Sequence, residues 1–425
     1  MVKYLYLLLL GLAFQTAHAQ QADTDYAELT AKAGLLHLQK DYTNAIKNYE
    51  AAFKLKNPDA LTAYKAAGAY ALAGNNEKAL LFLNKAIDIG WSEADWLTTD
   101  PYFSSLTSAL PTAWEQIKKK AYSYELDYAK NLRYPELRKE INQMMLRDQQ
   151  LRYKRVQAVD REEIQKINND IHQADAENLE KAKKILQQYG WPKISDIGKD
   201  GANNFWLVVQ HADNDVRFQR TALQAIEKWK GTAEINNENY AFLYDRVQCN
   251  LNYKQLYGTQ VTWTGKGEAS GFRPIAREDQ ADQRRKKLGM TSLRIYALGY
   301  GFNYVPISKE EALKKDRDDL TTVKKLTDST QWYYEKKQFQ KAYDAANNAS
   351  MIAGGMTSKQ SFDAAILFTK IAAVDTNPQY KGIALDFLQL LALQQELPKA
   401  WQDKSSLVLL KSEPRWAEIE KMAKQ

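Results

Sequence analysis

The sequence predicts a mainly α protein in which paired helices at both ends flank a central α-rich domain with a small β-hairpin element. Three observations predict it. Small residues recur every 34 positions near the start: Ala45 returns as Ala79, Ala52 as Ala86 and Gly34 as Gly68. A similar pattern of alanines and aromatics fills the last quarter. Between the two, apolar residues keep helical spacing except around residues 259–271, where residues alternate and glycines cluster.

Residues 1–19 read as a signal peptide. Lys3 gives a positive start, residues 4–14 are an apolar run too short to cross a bilayer, and Ala17-His18-Ala19 supplies a small-x-small cleavage site. The mature chain is expected to start at Gln20 and to be periplasmic or secreted. No cysteine stands beside the cleavage site, and no later stretch is long and apolar enough for a membrane helix, so no membrane anchor is expected. Cys249 is the only cysteine, which excludes an intramolecular disulfide. Its neighbours Val247 and Leu251 predict a buried, inert thiol.

Residues 20–121 form the first helical unit. Tyr42, Ala45, Ile46, Tyr49, Ala52 and Phe53 fall on one helix face, as do Ala79, Leu80, Leu83, Ala86 and Ile87. Asn57-Pro58 and Gly74-Asn75 punctuate the helices. On these residues the segment resembles the tetratricopeptide repeat family, without its usual early aromatic. Trp96, Leu106 and Trp114 predict a cap on the stack.

Residues 306–425 repeat the pattern with Phe339, Ala342, Tyr343, Ala346 and Ala349. Tyr380, Ile383, Ala384, Phe387, Leu390 and Leu391 follow, then a tail with Trp401, Leu409 and Trp416. Stacked helical pairs make concave surfaces. The expected partner of these units is therefore another protein, the alternative being that so few repeats serve only to pack on the middle domain.

Residues 122–305 form the central domain. Leu137, Ile141 and Met144 mark one helix. Residues 160–170 read as a loop or a solvated helix. Leu179, Ala182, Ile185 and Leu186 mark the next helix, which should end at Gly190, with Pro192 holding Trp191 extended. A loop then leads to a helix over residues 206–213. Asp215 can cap a helix carrying Phe218, Ala222, Ile226 and Trp229. A helix over 239–250, a break at Gly258, the glycine-rich hairpin, a short basic helix ending near Lys287 and an apolar segment at 293–298 complete the domain.

The central domain sets pattern against chemistry. The stripe Leu137, Ile141, Met144 runs on into Asp148 and Arg152, with Gln149 beside them. Leu207 and Val208 lead to His211, and Trp206 and Val209 to Gln210 and Asp213. Phe242 and Cys249 flank Arg246, next to Asp245. Charged and amide groups on inward-heading lines must pair or line a polar cleft, because burying them unpaired is costly.

These motifs, together with Gly190-Trp191-Pro192, Tyr257-Gly258-Thr259-Gln260 and Arg284-Arg285, resemble a bacterial domain-of-unknown-function family, number 6624, over roughly Leu137 to Tyr296. The resemblance implies a domain and a motif set; it implies no mechanism.

His211, Asp213 and Asp245 are the candidate catalytic residues. Gln149, Arg152, Gln210, Arg246, Tyr257, Gln260, Arg284 and Arg285 are the candidate ligand-binding residues, the arginines as clamps for a small anionic ligand. The competing view pairs Arg152 with Asp148 and Arg246 with a carboxylate such as Asp213. His211 with Asp213 and Asp245 offers one nitrogen and two carboxylates, but the spacing matches no standard zinc motif, so no metal is assigned. No Gly-x-Ser-x-Gly and no phosphate-cradling glycine loop occurs, and no cofactor is identified.

The net charge of +7 is mild over 425 residues, and with export it speaks against a nucleic-acid partner. The leading reading is an exported envelope protein that binds a ligand or protein, with the repeats recruiting a partner. A hydrolase with His211 as base is the alternative, and a purely structural polar network the third. Intact-mass analysis of the exported product should show a chain beginning at Gln20; a mature protein retaining Met1 would contradict export by this route.

Overall fold

The computed structural model describes residues 21–424, so the expected signal peptide and its cleavage site lie outside the described residues. The first unit holds helices α1 (residues 21–38), α2 (Tyr42–Leu55), α3 (Ala60–Leu72) and α4 (Asn76–Asp88) as two successive pairs. Asp41, Asp59 and Asn75 accept the N–H of Asn44, Thr62 and Lys78 and so start α2, α3 and α4. The recurring alanines explain the packing. Ala45, Ala52, Ala79 and Ala86 are fully buried, because the helices approach too closely there for a larger side chain. A Cβ on Gly68 would lie 3.1 Å from Tyr102 and 3.5 Å from His37, whereas its repeat partner Gly34 has open space around it.

Helices α5 (Ala94–Thr99), α6 (Ser104–Ala109) and α7 (Pro111–Ala129) close this unit. Leu106 and Trp114 are buried and Trp96 packs half-buried on the same cluster, as a cap requires.

The central domain is built on a hairpin of two long helices, α8 (Pro135–Gln157) and α9 (Arg161–Tyr189), with α10 (Ile194–Gln210) packed against both, and α11 (Val216–Glu227) and α12 (Asn237–Asn250) packed on α10 and on each other. Residues 161–170 are helical, started by the Asp160 cap. Gly190 ends α9 at φ 68°, and Trp191 is buried edge-on against Phe205 at 5.2 Å.

The segment read as a loop before residue 206 is instead the first half of α10. It contains one non-helical residue, Gly198, at φ 79°. Tertiary packing overrides the weak helix propensity of its glycines and asparagines. A Cβ on Gly198 would meet the Tyr128 hydroxyl at 2.7 Å, and one on Gly201 would meet Arg138 at 3.2 Å. The helix also stops three residues early: His211 is its C-cap, and Asp213 lies in the following turn. Asp215 caps α11 as expected, accepting from Phe218.

The alternating stretch forms an antiparallel hairpin of β1 (Val261–Trp263) and β2 (Ala269–Phe272). Short helices α13 (Ala281–Lys287) and α14 (Leu293–Gly299) follow.

The third unit pairs α15 (Lys309–Glu335) with α16 (Phe339–Ser350) and α17 (Ser358–Ala372) with α18 (Pro378–Gln394), ending in α19 (Pro414–Ala423). Ala342, Ala346 and Ala349 are buried between helices. Trp401 and Trp416 pack with ring centroids 4.7 Å apart. Leu409, expected beside them, is 37% exposed, and Leu407 and Leu410 point inward instead. The 3-10 helix Ser405–Leu410 repeats every three residues, which selects that pair.

Side chains lock the units together. Lys254 bridges to Asp316 and Asp319 of α15, and Asn252 and Arg220 reach backbone carbonyls of the third unit. On the other side Arg138, 2% exposed, donates from Nε to Asp200, from Nη1 to Glu125 and from Nη2 to the Ser92 carbonyl. Glu93 accepts from Asn204 at 2.8 Å in the same junction. Burial, with the Asp200 charge adding to it, pushes the Glu93 carboxyl up to about 7.

A carboxyl raised on folding binds its proton more tightly in the folded state. Its cost is absent below the ordinary value of 4.5 and fully present above about 7, so stability falls as pH rises through that window. Glu93→Gln should therefore raise the melting temperature by a few degrees at about pH 8 and leave it nearly unchanged at about pH 4.5. Differential scanning calorimetry at both pH values checks this; equal shifts at both would refute it.

Candidate functional site in the central domain

Three helices deliver the polar groups. The apolar stripe of α8 ends in Asp148, which is 2% exposed, and one turn later in Arg152. Helix α9 brings Asp175 and Asn178, and the C-cap of α10 brings His211. Arg152 donates from Nε to both oxygens of Asp148 at 3.0 Å and from Nη2 to Asp175 at 2.8 Å. Nη2 also lies 3.3 Å from His211 Nδ1, which in turn is 3.5 Å from Asp148 Oδ2. Gln149 donates to Asp148 at 2.7 Å.

Burial works to raise the Asp148 carboxyl. Its contacts with His211 and Arg152 outweigh that and hold it well below the usual carboxylate range. Asp175 is raised, by burial first and by the Asp148 charge, with Arg152 opposing. Met145, Asp148, Asp175, Asn178, Val208 and His211 enclose a water-sized space of about 10 Å³.

The other predicted residues lie elsewhere. Asp213 pairs with Arg246, which donates from Nε at 2.8 Å and from Nη2 to the second oxygen. Burial acts to raise the Asp213 carboxyl, and Arg246 brings it below its ordinary value. Arg246 Nη1 donates to Gln260 at 3.3 Å. This pair sits one turn beyond His211 and is more open, with the Asp213 side chain 42% exposed. Gln210 is buried, and its Oε1 has no hydrogen-bond partner among the described residues.

Asp245 is not beside His211. It is fully buried and accepts the N–H groups of Leu256, Tyr257 and Thr259 and the Thr259 hydroxyl. Its place on an inward-heading line reflects this: it holds the loop after α12. Tyr257 packs in that core between Tyr240 and Tyr244. Arg284 donates to the carbonyls of Leu256 and Ala276, and Arg285 to those of Thr291 and Tyr257.

The structure thus resolves the predicted set into three groups and one residue outside them, Gln210. Gln149, Arg152 and His211 meet, Asp213, Arg246 and Gln260 form a neighbouring trio, and Asp245, Tyr257, Arg284 and Arg285 fix a loop. The grouping of His211 with Asp213 and Asp245 is not assembled, because those carboxylates are engaged by Arg246 and by backbone. The guanidiniums read as anion clamps are already bound to carboxylates or carbonyls, and Arg285 is fully enclosed. Burial pushes the Cys249 thiol up to about 11, which keeps it unreactive at neutral pH.

Sequence reasoning missed Asp175, Asn178 and Arg138. A signal for the first two was present. Ile167, Ala174, Asn178, Ala182 and Ile185 share the buried face of α9, so an asparagine interrupts an apolar stripe with an aspartate beside it.

A second concavity lies on the third unit. A groove of about 460 Å³ runs between α15 and α17, lined among others by Thr327, Gln331, Tyr334, Gln360, Leu367 and Lys370.

Fold and site together define an α-helical protein whose central domain carries the charged cluster between two helical-pair units. Residues 135–303, the central region, match the model of a family described as Family of unknown function (DUF6624). Comparison with curated proteins and with solved structures gives no match.

Exposure separates the two arginine pairs. Arg152→Met leaves Asp148 buried and short of its main partner, at roughly 3 kcal/mol, or about 6–12 °C in a domain of this size. Arg246→Met leaves Asp213 facing water, and the midpoint should move by no more than about 2 °C. Thermal unfolding of the two variants decides; equal losses would contradict this assignment.

Proposed function

We propose that this is an exported binding protein in which the groove between α15 and α17 receives an extended segment of a partner protein. The observation that carries this reading is the groove itself. At about 460 Å³ it has the size of a ligand cleft, whereas the space at His211 holds about one water. Its lining suits a peptide. Thr327, Gln331 and Gln360 offer hydrogen-bond partners to a peptide backbone, and Tyr334, Ile366 and Leu367 offer apolar contact. Ala346 and Ala364 are small, which leaves room between the helices.

The hydrolase reading has less support. His211 has a carboxylate at Nδ1, as a general base requires, but the space beside it does not admit a substrate of ordinary size. Export rests on residues 1–19 of the sequence.

The test uses the mature chain and a display library of short unstructured peptides. Enriched peptides should bind in fluorescence anisotropy, and Leu367→Asp should weaken them about tenfold or more. His211→Gln should leave them unchanged. A library yielding no binder, or binders indifferent to Leu367→Asp, would overturn the reading.

A further inference from the structure

We infer that Asp148, Asp175 and His211 form a site for a divalent first-row transition ion, with the Arg152 guanidinium as a built-in cation that the ion displaces. One nitrogen and two carboxylate oxygens, one from each residue, lie within 4.8 Å of one another. The same three residues also line the water-sized space already described, which is too small for an organic substrate. Arg152 Nη2 lies 2.8 Å from Asp148 Oδ1, 2.8 Å from Asp175 Oδ1 and 3.3 Å from His211 Nδ1. It occupies the position of a metal ion, on the three groups that would be its ligands.

The field at this point selects positive charge. Two carboxylates face one guanidinium, and the C-terminal carbonyls of α10 end beside His211. With Arg152 swung away, two negative groups remain for an incoming cation. The geometry permits that exchange. The Arg152 side chain is 35% exposed and Asp175 25%, while Asp148 is 3% exposed and stays fixed.

The donor set names the class of ion. One imidazole and two carboxylates suit manganese, iron, cobalt or zinc in the divalent state. Calcium takes oxygen ligands alone. Donors about 2.0–2.2 Å from zinc stand roughly 3.3–3.6 Å apart, so Asp175 closes inward as the ion enters. Three protein ligands and a solvent-facing side leave a coordination position for water. This inference is independent of the peptide groove.

The experiment uses the mature chain after chelator treatment, titrated calorimetrically with Zn²⁺ and with Mn²⁺ alone. One ion should bind per chain. His211→Gln and Asp175→Asn should each weaken binding about 100-fold, and Arg152→Met should tighten it about tenfold by removing the competing cation. The metal-free Arg152→Met protein should melt lower, and the ion should restore its melting temperature. His172, exposed on α9 one turn before Asp175, serves as a control: His172→Gln should bind like the parent. Absence of stoichiometric binding by both the parent and Arg152→Met would overturn the proposal. So would binding that survives both His211→Gln and Asp175→Asn, or that disappears with His172→Gln.

Discussion

The buried guanidinium of Arg138 is the constraint on which the junction of the first two units depends. It is almost fully enclosed, and its partners come from three places: Glu125 on α7, the Ser92 carbonyl before α5, and Asp200 on α10. A buried charge is tolerable when it is paired and hydrogen-bonded, and breaking such a group costs roughly 3–5 kcal/mol. Several features of the neighbourhood follow. Gly198 leaves its helical conformation so that Tyr128 can reach the Lys199 N–H at 3.0 Å. Gly201 lacks a side chain because the Arg138 stem passes there. Glu93 is raised by burial first, and then by sharing the enclosure with Asp200 and Glu125, an excess of carboxylates that one arginine does not neutralise.

The central loop uses the same device with the signs exchanged. Asp245 gathers backbone N–H groups from residues 256–259, while Arg284 and Arg285 gather backbone carbonyls from both sides of that loop. Irregular backbone inside a helical domain must find hydrogen bonds somewhere. Here side chains from α12 and α13 supply them, so the charges on these helices point inward for the benefit of a loop.

The sequence made the helices and their faces legible because periodicity survives translation into packing. Ala45, Ala52, Ala79 and Ala86, the residues that revealed the repeat, are those buried between helices. Caps at Asp215 and Gly190 were readable for the same local reason. What was not legible is pairing. Asp148, Asp213 and Asp245 all lie on inward-heading lines, yet they meet a histidine and an arginine, a second arginine at a more open place, and a run of backbone amides. Nothing local to a helix states which neighbour it will face. Asp175 was hidden by its charged surroundings on α9, and the first half of α10 by glycines that packing, not propensity, made helical.

Exposure then decides which charges remain available to other molecules. Arg138, Asp245 and Arg285 have protein on every side, so any substitution there acts on folding. Arg152, Asp175 and His211 differ, each being a quarter to a third exposed over a carboxylate that is not. Such a group has one partner fixed by the core and one direction left open. His211 can occupy that place because α10 stops at Gln210, which puts the imidazole past the last helical turn and above Asp148. Had the helix run on to Asp213, His211 would sit in its interior and the aspartate that pairs with Arg246 would be carried round on the helix. The early end of α10 therefore divides the motif Gln210-His211-Ala212-Asp213 between two neighbouring clusters, and leaves His211 with the arrangement that permits exchange of one cation for another.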